Sequence, residues 1–350
     1  MEPGLADRRQ TGVWLGLVGL GLLAVAMMLS TLVGAAVLPL SEVLGAIGAR
    51  LGLGPEPDEA VQQIVIGIRL PRVLLGATVG AALAMAGASL QAVLRSPLAD
   101  PYVLGVSSGA MVGATVAVLF GWSAWLGGSG VAVLGFCSAV LALLLVHSVA
   151  RVGREVSATR LLLAGVAVSS LATALTGLLL VLIPEATSVR GLVFWLLGGL
   201  GGADGQSAGV ALVVTLACGV GLMGLARWLD LLLLGDDAAR ALGIDPGRAR
   251  GALVLLASLL TATSVAFAGT IAFVGLVVPH ALRPLAGPGH RRLLPLSAIY
   301  GALMLVILDA LARTIVAPRE LPVGILTGLL GAPFFLWFLR QSRVEVDGRG

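Results

Sequence analysis

Long apolar runs dominate the chain, and the short segments between them hold most of the charged residues. A bilayer core about 30 Å thick needs roughly 20 apolar residues per helix. On that measure the pattern predicts ten membrane-spanning helices, which would leave both termini on one side of the membrane. The predicted spans cover residues 12–38, 73–94, 102–120, 131–150, 161–183, 206–226, 251–268, 270–282, 293–312 and 322–339.

The first span resembles a signal peptide in its position behind two arginines. Its apolar run is much longer than the 7 to 15 residues or so of a signal-peptide core. We therefore predict an uncleaved first helix.

Two apolar stretches depart from this simple pattern. Residues 251–282 are uncharged, too long for one helix and too short for two full helices with a turn. We predict a full helix and a short one that separate at Ala268-Gly269-Thr270, because non-helical backbone at this depth is tolerated only inside protein or along a cavity. Residues 191–202 are apolar but too short to cross, and we predict a half-helix there on the outer side.

The distribution of arginine between the loops tests the ten-helix prediction, since cytoplasmic loops carry an excess of basic residues. The excess lies on the side of the amino terminus, so we predict that both termini and the long connection 227–250 are cytoplasmic. This distribution also accounts for the net charge of +4 without a nucleic-acid partner. Arginines 8, 9, 95, 151, 154, 160, 227, 240, 248, 250, 283, 291, 292, 340, 343 and 349 lie on this side, and arginines 50, 69, 72, 190, 313 and 319 lie opposite.

Composition identifies the solvent in which the chain folds. Apolar residues make up 58% of the sequence and charged residues 11%, and the mean hydropathy is +1.04. A soluble protein of this composition would have almost nothing polar to face water. We predict an all-α, polytopic integral membrane protein whose residues 1–350 form one transmembrane domain, and whose 49 glycines favour close helix packing.

The chain has no lysine, which excludes a phosphate-binding loop of the Walker A type. Cys137 and Cys218 lie in separate apolar runs without metal-ligand spacing, so we predict no metal site, cofactor or catalytic residue. A membrane-embedded enzyme would need clustered His, Cys, Asp or Glu within the spans. An ion-coupled secondary transporter, the alternative function, would need carboxylates near the middle of the membrane, where only Asp309 comes near.

Several motifs follow one another in a specific order between about residues 60 and 340. Together they resemble the FecCD-like family of ABC transporter permeases, which import iron-siderophores, haem and vitamin B12. Ser96 is a small departure, since asparagine is common at its position. The motifs are Arg69-Leu-Pro-Arg-Val73, Ser96-Pro-Leu-Ala-Asp-Pro-Tyr-Val-Leu-Gly-Val-Ser-Ser-Gly109, Phe273-Val-Gly-Leu-Val-Val-Pro-His-Ala-Leu-Arg283, Glu320-Leu-Pro-Val-Gly324 and Gly331-Ala-Pro-Phe334.

This resemblance implies a permease subunit of a binding-protein-dependent importer in the inner membrane. It implies a homodimer around a central pathway, two cytoplasmic subunits that bind ATP and Mg, and a periplasmic or surface substrate-binding protein. The spans 161–183 and 322–339 would line the pathway, and their residues are almost all apolar or small. Such a path has few fixed polar contacts with which to distinguish siderophore, haem and cobalamin.

Arg69, Arg72 and Arg313 lie at the outer ends of their predicted helices. The resemblance implies that these arginines pair with carboxylates on the two lobes of the binding protein, and a planar guanidinium suits that task. Two alternatives stay open. Each arginine could anchor its helix at the membrane interface, or Asp309 and Arg313 could form a pair within one helix.

The cytoplasmic connection contains a short segment with clear boundaries. Two aspartates open it, Gly243 can close it in a left-handed conformation, and Pro246 forbids its continuation. The resemblance implies that this helix contacts the ATP-hydrolysing subunit and couples it to transport, whereas a plain surface helix fits the spacing equally well. The predicted coupling residues are Asp236, Asp237, Ala238, Ala239, Arg240, Leu242 and Gly243.

Ser157, Ala158 and Thr159 precede Arg160-Leu-Leu-Leu-Ala-Gly165 in the loop between the fourth and fifth spans. The resemblance implies that these three residues form the cytoplasmic gate, although the alanine replaces a polar residue at the middle position. Alternatively, Ser157 or Thr159 caps the helix that follows, which is compatible with the gate.

Overall fold

The computed structural model describes residues 5–34, 38–50, 52, 58–125, 128–152, 155–287 and 289–347. Within them the chain is almost entirely helical, with one pair of two-residue antiparallel strands, Arg151–Val152 and Glu155–Val156. The predicted all-α class is confirmed. The α-helices in chain order are α1 (Leu5–Leu32), α2 (Leu40–Arg50), α3 (Glu59–Gln62), α4 (Leu70–Val93), α5 (Val106–Leu119), α6 (Trp122–Trp125), α7 (Gly130–Ala150), α8 (Ala158–Leu182), α9 (Ala186–Leu196), α10 (Gly205–Gly224), α11 (Ala226–Leu233), α12 (Asp236–Ala241), α13 (Pro246–Ala268), α14 (Val274–Ala286), α15 (His290–Thr314) and α16 (Val323–Asp347).

Seven helical segments of the described chain are long and apolar enough to cross a membrane. They are the part of α1 from Gly12 onward, the continuous helical run Glu59–Val93 that includes α4, and the helices α7, α8, α10, α13 and α15. Three of the shorter apolar helices, Val106–Leu119, Val274–Ala286 and Val323–Leu336, fall on the other three predicted spans. The stretch predicted as a half-helix overlaps α9, which ends at Leu196. The chain is thus a polytopic membrane protein with about ten apolar crossings.

The helix α4 lies at the centre of the bundle. A π-helical segment, Gln63–Arg69, joins α3 directly to α4, so the helical chain starts at Glu59, well before the span predicted from residue 73. Of the most apolar window in Glu59–Val93, 83% is buried, against 6% for the window in α1. Packing against α10, α13, α14 and α15 surrounds α4 with protein.

Two glycines of α4 allow neighbouring helices to touch its backbone. A Cβ atom on Gly80 would overlap the carbonyl group of Gly301 in α15, and one on Gly87 would overlap the carbonyl group of Gly275 in α14. Close backbone contact of this kind replaces the hydrophobic driving force that helices lack in lipid. The high glycine content therefore serves helix packing at these crossings.

The backbone between α13 and α14 is non-helical and buried. Gly269 and Phe273 both have positive φ angles, of 65° and 69°. The hydroxyl of Tyr102 accepts from the Ile271 N–H at 2.8 Å and donates to the Ile271 carbonyl at 2.9 Å, which satisfies both backbone polar groups of Ile271. The protein thus supplies the hydrogen-bond partners that lipid could not supply at this depth.

Candidate functional site

The three predicted docking arginines lie together at one end of the bundle, where α1 ends and α4 begins. We call Arg69, Arg72, Asp309, Arg313 and Glu320 the arginine cluster. Pro71 lies just after the junction of the π-helical segment with α4, inside a continuous helical run, where its missing N–H removes one helical hydrogen bond. The spacing of Asp309 and Arg313 on α15 brings both side chains to the same face, and Glu320 lies in the loop before α16.

The carboxylate of Asp309 is at the centre of the cluster. Arg72 donates from Nε to Oδ1 at 3.1 Å and to Oδ2 at 3.2 Å, and from Nη2 to Oδ1 at 3.0 Å. Nε of Arg313 lies 3.1 Å from Oδ2 of the same carboxylate. Asp309 is only 2% exposed, so two guanidinium groups compensate one buried anion and join α4 to α15.

The other donors of the cluster hold the end of α1. Nη1 of Arg69 donates to the carbonyls of Thr31 and Leu32, each at 3.0 Å. Arg313 donates to the carbonyls of Val33 at 2.9 Å and Ser30 at 3.0 Å. The last carbonyls of a helix have no intrahelical partner and carry the negative end of its dipole. The two arginines therefore stabilise the end of α1.

These positions qualify the docking prediction. All three arginines are buried and bound within the chain, and the intrahelical pair of Asp309 and Arg313, an alternative from the sequence, is present. The ion pair of Arg72 Nη1 with Glu320 Oε2, at 2.8 Å, is more accessible than the Asp309 pairs, because the Glu320 side chain is 51% exposed. Docking on the cluster stays a prediction.

The predicted coupling segment forms a short helix at the opposite end of α4. It begins at Asp236 and ends at Ala241, and Gly243 follows with a φ of 84°, the left-handed conformation predicted for it. Its side chains divide between two directions. Ala239 is fully buried, whereas Asp237, Arg240, Leu242 and Gly243 are exposed, with Ala238 half-buried.

Asp236 points into the bundle. Its carboxylate accepts hydrogen bonds from Arg95, which follows the end of α4, and from Arg250 of α13 at 2.5 Å. The hydrogen bond from Arg250 is the largest cause that holds the pKa of Asp236 below its ordinary value, with Arg95 adding to it against the effect of burial. Sequence reasoning missed both arginines as partners, because 141 residues separate Arg95 from Asp236 and no local pattern links them.

The predicted gate residues lie at the start of α8. Ser157 occupies the N-cap position, where its carbonyl accepts from the Leu161 N–H at 3.0 Å, but its hydroxyl makes no capping hydrogen bond. Ser157 and Thr159 are exposed and Ala158 is half-buried. The capping alternative is thus realised by position only, and the gate stays a prediction.

Across the described ranges, no group of three or more His, Cys, Asp or Glu side chains is arranged to hold a metal ion. Asp309 is the carboxylate that an ion-coupled transporter would have needed near the middle of the membrane. It forms ion pairs with Arg72 and Arg313. The chemistry that the two ends of α4 offer is therefore binding through charged hydrogen bonds.

The model of the FecCD transport family matches residues 22–341. The cobalamin import system permease protein BtuC of Halobacterium salinarum is 44% identical over 287 residues, which are 82% of this chain and 76% of that protein. The hemin transport system permease protein HmuU of Yersinia pestis is 42% identical over 294 residues, 83% of this chain and 87% of that protein.

A solved structure of a metal-chelate type ABC transporter in an inward-facing conformation has the same fold. It superimposes with a TM-score of 0.81 and 31% identity, over 93% of this chain and 98% of that one.

Replacing Asp309 by Asn should destabilise the protein by about 3 to 5 kcal/mol, because two buried guanidinium groups lose their compensating charge. The matched control, Glu320→Gln, removes a half-exposed partner of Arg72 and should cost less than about 1 kcal/mol. The free energy of unfolding in detergent measures both. Equal stability of the two variants would contradict the central place of Asp309.

Proposed function

The chain belongs to the FecCD transport family, and we propose that its cargo is a metal chelate of the iron-siderophore, haem or vitamin B12 type. It is the transmembrane permease subunit of an ABC importer in the inner membrane. The observation that carries this function is the match to a metal-chelate transporter over 93% of the chain at 31% identity.

We propose that a separate subunit binds and hydrolyses ATP with Mg. The absence of lysine from the sequence supports this division, since a Walker A loop requires one. An ion-coupled mechanism would need a carboxylate that is available to bind the coupling ion. Asp309 is instead bound to Arg72 and Arg313.

The arginine distribution supports a cytoplasmic amino terminus, which would place the arginine cluster on the outer face and α12 in the cytoplasm. We further propose a homodimer. The face of α8 that contains Leu163, Ser170, Leu171, Leu178 and Val181 is exposed in the single chain, and only 17% of its most apolar window is buried. Apposition of this helix with α16 of both copies would enclose a pathway with few charges.

For the binding protein we propose docking through a carboxylate that replaces Glu320 on Arg72. The cluster holds three guanidinium groups and two carboxylates, so it has an excess of positive charge. Glu320 is half exposed and its loop precedes α16, so its carboxylate can leave without disturbing the buried Asp309 pair. A partner's carboxylate would then occupy the free side of the Arg72 fork.

For the ATPase we propose contact with the outward side of α12. Asp237 is fully exposed and forms a surface pair with Arg240 at 3.3 Å, and Leu242 offers an apolar side chain beside them. A short helix of this kind fits a groove on a partner subunit. We therefore assign the proposed contact with the ATPase to the exposed side of residues 236–243.

We also propose that Ser157, Ala158 and Thr159 close the cytoplasmic end of the pathway. The free hydroxyl of Ser157 at the start of α8 supports this, because α8 would line the path. A disulfide between two Ser157→Cys copies should block uptake by the assembled dimer while ATP still binds. Undiminished uptake in the cross-linked dimer would exclude the gate.

Reconstitution of the permease with its ATPase and the neighbouring binding protein tests the function. Ferric siderophore, haemin and cyanocobalamin are supplied in turn, each with the binding protein. We expect one class of chelate to stimulate ATP hydrolysis and to accumulate in the vesicles. No stimulation by any of them would contradict chelate import.

The docking proposal predicts opposite effects for the two partners of one contact. Arg72→Lys keeps the charge but loses the fork, and should weaken binding-protein affinity about tenfold. Glu320→Gln removes the competing carboxylate and should strengthen it about threefold. General damage to the fold cannot produce both signs. Unchanged affinity in both variants would remove Arg72 from the docking surface.

A further inference from the structure

We propose that Asp236 fastens α12 to the transmembrane helices and transmits the movement of α12 to α4 and α13. This inference rests on the proposed coupling role of α12 and assigns its residues two separate tasks. Asp237, Arg240 and Leu242 would contact the ATPase, whereas Asp236 would act in the opposite direction. We call Asp236, Arg95 and Arg250 the Asp236 joint.

Four elements meet at this joint. Arg250 is a buried residue of α13, and it donates from Nη2 to Oδ1 of Asp236 at 2.5 Å. Arg95 also donates from Nη2 to Oδ1 of Asp236, and its Nε donates to the carbonyl of Leu232 in α11 at 2.7 Å. Displacement of α12 must therefore either move α4 and α13 with it or break charge-assisted hydrogen bonds.

The backbone at Arg95 supports a dedicated role for this side chain. Arg95 has a φ of 51°, the left-handed conformation that glycine usually supplies at the end of a helix. The Ser96 N–H donates to the carbonyl of Gln91 at 3.1 Å, which is the six-residue bond of a Schellman motif. An arginine in this position directs its guanidinium to the connection, which glycine could not do.

A second carboxylate of the same connection is also bound to the bundle. Oδ1 of Asp230 in α11 accepts from the His290 N–H at 2.9 Å and lies 2.6 Å from Nδ1 of the His290 ring, at the start of α15. This contact attaches α11 to the start of α15, so α12 follows a helix that is itself held by the bundle. A movement of α12 would then reach α4 and α13 through the hydrogen bonds of Asp236.

Two aspartates of the connection 227–250 provide a matched pair of variants. In the complete transporter, Asp236→Asn should leave co-purification of the ATPase and hydrolysis of Mg·ATP within twofold of the wild type. It should lower the amount of ferric siderophore, haemin or cyanocobalamin, whichever the wild type carries, that is transported per ATP by at least tenfold. Asp245→Asn should leave transport per ATP within twofold, because Asp245 caps the start of α13 outside the Asp236 joint and asparagine caps a helix equally well.

A conformational measurement separates transmission from stability. Spin labels on Val181→Cys in α8, in a background with Cys137 and Cys218 replaced by Ala, report the distance between the two copies with and without ATP and vanadate. We expect this change in distance in the wild type and in Asp245→Asn, and we expect its loss in Asp236→Asn. Normal transport per ATP and a normal distance change in Asp236→Asn would overturn the inference.

Two further variants keep the test decisive. If Asp236→Asn does not assemble, Arg95→Gln is measured in the same way, and normal transport per ATP in that variant overturns the inference. Replacement of residues 236–242 by a Gly/Ser linker tests the coupling helix itself. Normal co-purification and normal uptake in the linker variant would contradict the coupling role, whatever the result for Asp236.

Discussion

The buried carboxylate of Asp309 is the contact on which this architecture depends. A charge inside a membrane bundle is tolerated only when it is paired and hydrogen-bonded. Here Arg72 of α4 and Arg313 of α15 share one carboxylate, and the remaining donors of Arg313 reach the last turn of α1. Three helices from distant parts of the chain are thereby fixed at one end. Gly80 and Gly87 of α4 then determine how closely α15 and α14 pack against it.

The other end of α4 repeats this arrangement with different residues. Arg72 lies in the first turn of α4 and Arg95 just beyond its last, and each is bound to a carboxylate that a second arginine shares. At 1.5 Å per residue the two arginines are about 35 Å apart along the axis. If the binding protein docks at Arg72 and the ATPase acts through α12, one buried helix connects both surfaces. A central helix surrounded by protein is suited to such a connection, because it moves with its neighbours.

Sequence reasoning predicted the features that depend on local composition or on a motif. Apolar length gave the spans, and the break at Ala268-Gly269-Thr270 lies where α13 ends. Helix spacing anticipated the pair of Asp309 and Arg313 as an alternative. What it missed are contacts between distant segments, such as Asp236 with Arg95 and Arg250, and the burial of Arg69, Arg72 and Arg313. A charged residue at a predicted helix end looks the same in sequence whether it faces solvent or a buried carboxylate from 237 residues away.

The side chains along the proposed pathway bear more directly on the cargo than the charged clusters at the two ends of α4 do. The exposed face of α8 presents leucine, valine and small hydroxyl side chains, and its spanning part has no charged residue between Leu161 and Leu182. A binding site rejects a ligand strongly when one of the site's buried polar groups is left without its hydrogen-bond partner. The exposed face of α8 has few such groups, so it would distinguish poorly between chelates. Few fixed polar contacts also suit a chelate that is bound weakly, and weak binding helps a permease to release its cargo. Selection would then occur before entry, in the proposed binding protein, and related permeases could carry different chelates through similar helices.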